Sequence, residues 1–131
     1  MFIDASAIVA IITSEADFEL LEIRLEKALR VITSPVTIYE AVLGIARKRS
    51  CGLDVSRENV EAFLQEVSIA VVPIDSIIGN EAVAAFHKFG RGRHPAALNM
   101  GDCFSYACAK IHRVPLLFKG DDFIHTDIRI A

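Results

Sequence analysis

The chain has 131 residues, 53% of them hydrophobic and 24% charged. That suits one ordinary domain with material for a core and excludes a disordered segment. A net charge of -3 excludes a globally basic nucleic-acid binder, so local basic patches or bound cations must meet any polyanion.

Met1 to Asp4 reads as a short buried strand ending in a carboxylate. Ala5 to Ile12 is apolar without alternation and predicts a buried helix start. Glu15 to Leu29 carries Phe18, Leu21, Leu25 and Leu29 at helical spacing. Arg30 to Thr33 reads as a second strand. Ser34-Pro35 pairs a capping hydroxyl with a proline at the first helical position, opening a helix to about Arg49. Asp54 starts another helix, with Val60, Phe63, Leu64 and Val67 inward. Ile69 to Val72 is a third strand, and Asp75 opens a helix to about Phe89. Gly90 to Pro95 is a basic loop. Asn99 or Gly101 begins a helix ending near Arg113. Pro115 to Phe118 is a fourth strand, Gly120 to Phe123 a turn or helix start, and Asp127 to Ile130 a last short strand. Phe2, Phe63, Phe86, Phe104 and Phe118 are expected in the core, as is Tyr106.

Strands alternating with helices predict a three-layer α/β/α sandwich with a mainly parallel central sheet, one domain over residues 1–131. Active sites of such folds collect at the carboxyl ends of the strands. No apolar run approaches the roughly 18 residues of a membrane span. The stretch Ala7 to Ile12 lacks the basic flank of a signal peptide. Cys51, Cys103 and Cys108 lack the spacing of a disulfide framework or zinc site. A cytoplasmic protein with buried thiols is expected.

Four acidic positions carry the chemistry. Asp4 closes the first strand, although it would equally cap the helix that follows. Glu40 shares a helix face with Val36 and Leu43, which puts it on or beside the buried stripe. A bare carboxylate there costs several kcal/mol unless it is paired, with Arg47 for example, or bound to metal. Asp102 lies in a first helical turn, where the dipole alone would favour it. Asp121 and Asp122 follow the fourth strand. An oxygen-only set suits Mg²⁺ or Mn²⁺. Such a cluster would activate water and neutralise a phosphodiester.

The opening Met1-Phe-Ile-Asp4-Ala-Ser6 resembles the first strand of PIN-domain nucleases, specifically the VapC toxin family. Tyr39-Glu40-Ala41 resembles the second acidic position of that family. The run from Gly90 through Asn99-Met-Gly-Asp102 to Tyr106 resembles a long signature of one VapC subgroup. Leu116 to Phe123, then Thr126-Asp127-Ile128, resembles its C-terminal motif. The resemblance implies the toxin of a type II toxin–antitoxin pair: an Mg²⁺- or Mn²⁺-dependent endoribonuclease acting on RNA such as tRNA or rRNA. It implies metal binding and catalysis by Asp4, Glu40, Asp102 and an acid after the fourth strand. Many PIN domains have Asp-x-Asp-Phe there; with Gly120 at the first place, the fourth role falls to Asp122, with Asp121 as the alternate. It further implies inhibition by a cognate VapB-type antitoxin and a homodimer within the complex.

Ser6 is placed to orient Asp4 or a bound water. Arg91, Arg93 and His94, in a glycine-flanked loop before the Asp102 helix, are candidate RNA-phosphate contacts. Arg47, Lys48 and Arg49 fit compensation of the helix dipole better than RNA contact. His87, His112 and His125 do not cluster. Three alternatives compete: a PIN nuclease in RNA processing or DNA repair, a non-catalytic binding module, and a phosphotransferase. The haloacid-dehalogenase type of the last needs an aspartate where Ser6 stands.

Overall fold

The computed structural model describes residues 1–131. Four parallel strands, β1 (Phe2–Ile3), β2 (Ile32–Thr33), β3 (Ala70–Val71) and β4 (Leu116–Leu117), form one sheet in the order β3-β2-β1-β4. Six helices surround it: α1 (Ala5–Ile12), α2 (Phe18–Glu26), α3 (Pro35–Arg49), α4 (Leu53–Glu66), α5 (Ser76–Phe89) and α6 (Met100–Ile111).

The pleat divides the core. Phe2, Ile32, Val72 and Leu116 face α5 and α6, together with Tyr106 and Phe123. Ile3, Val31 and Leu117 face the opposite layer, which is filled by α1 to α4. Successive side chains of a strand point to opposite faces, so each central strand feeds both cores. The two layers make the predicted α/β/α sandwich.

Local signals placed most boundaries. Ser34 caps α3 through Thr37, Asp75 caps α5 through Ile78, and Asn99 and Asp102 form a reciprocal capping box on α6. Four expectations change. α2 is shorter than Glu15 to Leu29, and Leu29 is fully exposed. Phe86 lies outside the core, because α5 buries Ile78, Ala82, Ala85 and Phe89 instead. The expected last strand reduces to one bridge between Leu116 and Ile130. α3 buries Thr37, Ala41 and Ile45, so Val36, Glu40 and Leu43 form the flank of that stripe. Cys103 and Cys108 are buried, and burial pushes both thiols up to about 11. No helix is long and apolar enough to cross a membrane.

Chain order fixes where a site belongs. From β1 the sheet grows through β2 to β3, and β4 then adds on the other side of β1. The direction of winding reverses between β1 and β4. The crevice at their carboxyl ends is where ligands bind in open α/β sheets. Asp4 leaves β1 there, and residues 119 to 122 leave β4 there.

Candidate active site

Asp4 is buried at the end of β1 and accepts three hydrogen bonds, which leaves one lone-pair position of Oδ1 open. Its Oδ2 accepts from the Ser6 backbone N–H at 2.9 Å and from Ser6 Oγ at 2.6 Å. Its Oδ1 accepts from Ser105 Oγ at 2.6 Å. Asp4 is therefore both the cap of α1 and a carboxylate locked in one rotamer. The Ser6 hydroxyl also accepts the Lys119 N–H at 3.0 Å, tying the β4 exit to the β1 exit.

A buried hydroxyl chain supports this arrangement. Thr37 Oγ1 lies 3.4 Å from Ser105 Oγ and 3.0 Å from Ser34 Oγ. Hydrogen bonding among buried groups strengthens in a low dielectric. No buried side-chain nitrogen or oxygen lacks a partner. The sequence reading missed Ser105. Its signal was a hydroxyl three residues past Asp102, on the same helix face.

Glu40 is half-buried and has no ion-pair partner; Arg47 does not reach it. Burial raises its carboxyl to about 7, and the charges of Asp4 and Asp102 add to the rise. Asp102 is raised to about 6, by burial first, then by Asp4 and Asp122, against the Asn99 N–H and Arg91, which lower it. Three elements thus bring Asp4, Glu40 and Asp102 into one field, with Asp122 at its margin. The charge of Asp122 reaches Asp102. Asp121 and Asp122 both lie exposed at the start of a 3₁₀ turn, Asp122–His125. Gly120 precedes them at φ +105°, a conformation an aspartate at that place would be strained to adopt.

Gly101 was noted in the sequence only as a helix start. A side-chain carbon there would collide with the Glu40 carboxylate. The Glu40 carboxylate therefore packs against the bare α-carbon of α6. A glycine inside a first turn, where alanine is the better helix former, was the available signal.

The basic loop divides. Arg91 lies near enough to Asp102 to lower its carboxyl. The Arg93 guanidinium lies 5.7 Å from the Phe86 ring centroid. His94 Nδ1 accepts the Ala96 N–H at 3.1 Å, and its ring packs edge-on against Phe89 at 5.1 Å. Tyr106 is core, and its hydroxyl donates to Asp127 at 2.5 Å.

No three acidic, histidine or cysteine side chains close on one point at metal-ligand distance. The donors are nevertheless hard oxygens. Glu40 has no hydrogen-bond donor, and the one Asp102 oxygen held by the Asn99 N–H leaves the other without one. Mg²⁺ takes one or two carboxylates and keeps several waters. An open set of this chemistry fits it; a closed cage is not required.

The PIN domain profile matches residues 1–129. A VapC ribonuclease of Rhizobium meliloti is 42% identical, over 97% of this chain and 98% of its own. The chain belongs to the PIN domain family, in its VapC branch. Ribonuclease VapC of Mycolicibacterium smegmatis is 41% identical over 98% of this PIN domain and 97% of its own chain. Two solved structures share the fold at 16% identity. A chain of a toxin-antitoxin complex from Klebsiella pneumoniae has TM-score 0.70 over 99% of this PIN domain and 95% of that chain. Mycobacterium tuberculosis VapC20, a sarcin-ricin loop cleaving toxin, has TM-score 0.71 over 98% of both chains.

Proposed function

We propose that this PIN domain is the ribonuclease toxin of a toxin–antitoxin pair, hydrolysing RNA phosphodiester bonds with Mg²⁺ or Mn²⁺. The observation that carries the reading is the convergence of Asp4, Glu40 and Asp102 at the β1/β4 switch point, with no lysine or arginine ion-paired to any of them. Like charges gathered at the expense of stability are what a functional site shows and a structural one avoids. Asp4, Glu40, Asp102 and Asp122 would hold the cation, which supplies charge neutralisation at the phosphate and an acidified water when bound.

The protein's own groups set the geometry. Ser6 and Ser105 fix the Asp4 rotamer, so its remaining lone pair points in one direction. Gly101 lets Glu40 approach α6. Arg91 stands beside Asp102 as a cation for a substrate phosphate. Inhibition by a VapB-type antitoxin is supported by the toxin-antitoxin complex that shares the fold; a homodimer within such a complex and a cytoplasmic location complete the proposal.

The test is cleavage of a panel of tRNAs and rRNA fragments by wild type and Asp102→Asn, with Mg²⁺, Mn²⁺ or EDTA. Cuts should disappear in EDTA and fall at least about 100-fold in Asp102→Asn, as expected when several kcal/mol of charge stabilisation is lost. Cuts that survive both would remove the acidic centre from the mechanism.

A further inference from the structure

A groove of about 560 Å³ opens beside the acidic cluster, between α1 and α3. Ser6 and Glu40 stand at its inner end, and Glu15, Arg47, Lys48 and Lys119 line the rest. Its floor is kept low by Gly44, whose side-chain carbon, if present, would press on Val9 Cγ2 at 3.0 Å. Glu40, Arg47 and Lys48 all line the groove from α3, and the eight helical steps from Glu40 to Lys48 span about 12 Å.

The four charges are not equally committed. Glu15 bridges two lysines, contacting Lys48 Nζ through Oε1 and Lys119 Nζ at 3.0 Å through Oε2. Arg49, the next basic residue, is tied to the Ile12 carbonyl and lies outside the groove. Arg47 has no hydrogen-bond or ion-pair partner. Dipole compensation at the end of α3 does not account for Lys119, which comes from the β4 exit and shares the Glu15 carboxylate with Lys48. Two ammonium groups and one unpaired guanidinium thus line a single groove around one carboxylate.

We infer that this groove is a phosphate-backbone subsite for single-stranded RNA, with Arg47, Lys48 and Lys119 as its cations and Glu15 as an internal competitor for them. The inference rests on the nuclease reading above and adds the path of the substrate strand. RNA leaving the acidic centre would pass along α3, and its phosphates would displace Glu15 from the lysines. Exposed ion pairs of this kind are weakly held, so the exchange is feasible. Arg91 lies on the α6 side of the cluster, so the two basic elements would grip the strand on either side of the scissile bond.

The test uses the full chain carrying Asp102→Asn, which suppresses cutting, and a short fluorescein-labelled single-stranded RNA. Anisotropy is followed over a KCl series with Mg²⁺ present. Arg47→Ala and Lys119→Gln should each lower the slope of log affinity against log salt by about 0.7, and weaken binding about fivefold or more near 50 mM salt. Glu15→Gln should tighten binding, because Lys48 is released and Lys119 keeps only its bond to the Ala16 carbonyl. Arg47→Lys and Lys119→Arg should restore the slope, which excludes misfolding as the cause. Arg57→Ala, on the far side of α4, serves as the control. Slopes unchanged in the groove variants, with RNA still bound, would overturn the subsite and leave the nuclease reading intact. Variants that alter binding of poly-glutamate but not of RNA would make the groove a protein-docking surface and also overturn it. If the Asp102→Asn chain binds no RNA and the wild type cuts none, both readings fall together.

Discussion

Glycine in a helix costs about 0.5–1 kcal/mol against alanine, yet α6 carries one in its first turn at Gly101. The reason is steric, since the Glu40 carboxylate occupies the space a methyl group would take. The colliding atoms are the end of a flexible side chain, so Gly101→Ala has an inexpensive escape: Glu40 swings away. The variant should keep or slightly raise the melting temperature while cleavage falls about 10- to 100-fold, the usual loss when a supporting contact of a metal site is removed. Melting curves and cleavage rates measured together decide it, and unchanged cleavage would show that Glu40 does not act from its present position. Asp4 presents the opposite case at the same scale. Its capping and active-site readings competed in the sequence; the structure shows the cap, and the Ser6 N–H that completes it also fixes the carboxylate, so the cap is compatible with the proposed role in the site.

At the scale of elements, α6 holds the Asn99–Asp102 capping box, the acid itself and Ser105 within two turns. Removing the cap separates helix stability from chemistry. Asn99→Ala should cost about 1 kcal/mol, or roughly 3–6 °C in melting temperature for a chain of this size. Its backbone N–H would still hold Asp102 Oδ2, so cleavage should drop less than tenfold. A loss as deep as that of Asp102→Asn would mean that the Asn99 side chain serves the site directly. Helix starts such as Ser34, Asp75 and Asn99 were legible because caps are local in sequence. The buried face of α3 was not. A helical wheel offers two adjoining stripes, and the apolar pair Val36 and Leu43 marks the flank, where Glu40 lies beside the buried stripe. Burial went to Thr37, which is sustained by Ser34 and by Ser105, 68 residues distant. Partners that far apart leave no periodic trace. The basic loop is divided for a related reason. Three neighbours in sequence, Arg91, Arg93 and His94, take three directions around Gly92 at φ +77°.

For the molecule as a whole, a cluster of acids makes stability depend on pH in a direction opposite to that of most carboxylates. Glu40 is raised from 4.5 to about 7, and Asp102 from 3.8 to about 6. Between the ordinary and raised values, the folded chain retains protons that the unfolded chain releases. By linkage, their contribution is fully present below about pH 4 and is lost as pH rises toward 7. Glu15 and Asp127, lowered by their lysine partners, act with the opposite sign and at lower pH. The difference between wild type and Glu40→Gln isolates the effect. In EDTA the variant should match wild type near pH 4 and melt several degrees higher at pH 8, the pattern expected of a site maintained at the expense of the fold. Added Mg²⁺ should reverse the order, since ligand at a hundredfold excess over its Kd stabilises by about 2.7 kcal/mol and Glu40→Gln has lost one of the carboxylates that would bind it. The Mg²⁺ shift of wild type should also be larger at pH 8 than at pH 5.5, because protons and cation compete for the same oxygens. A wild-type melting temperature indifferent to Mg²⁺ at both pH values would mean the acids are not gathered for a cation.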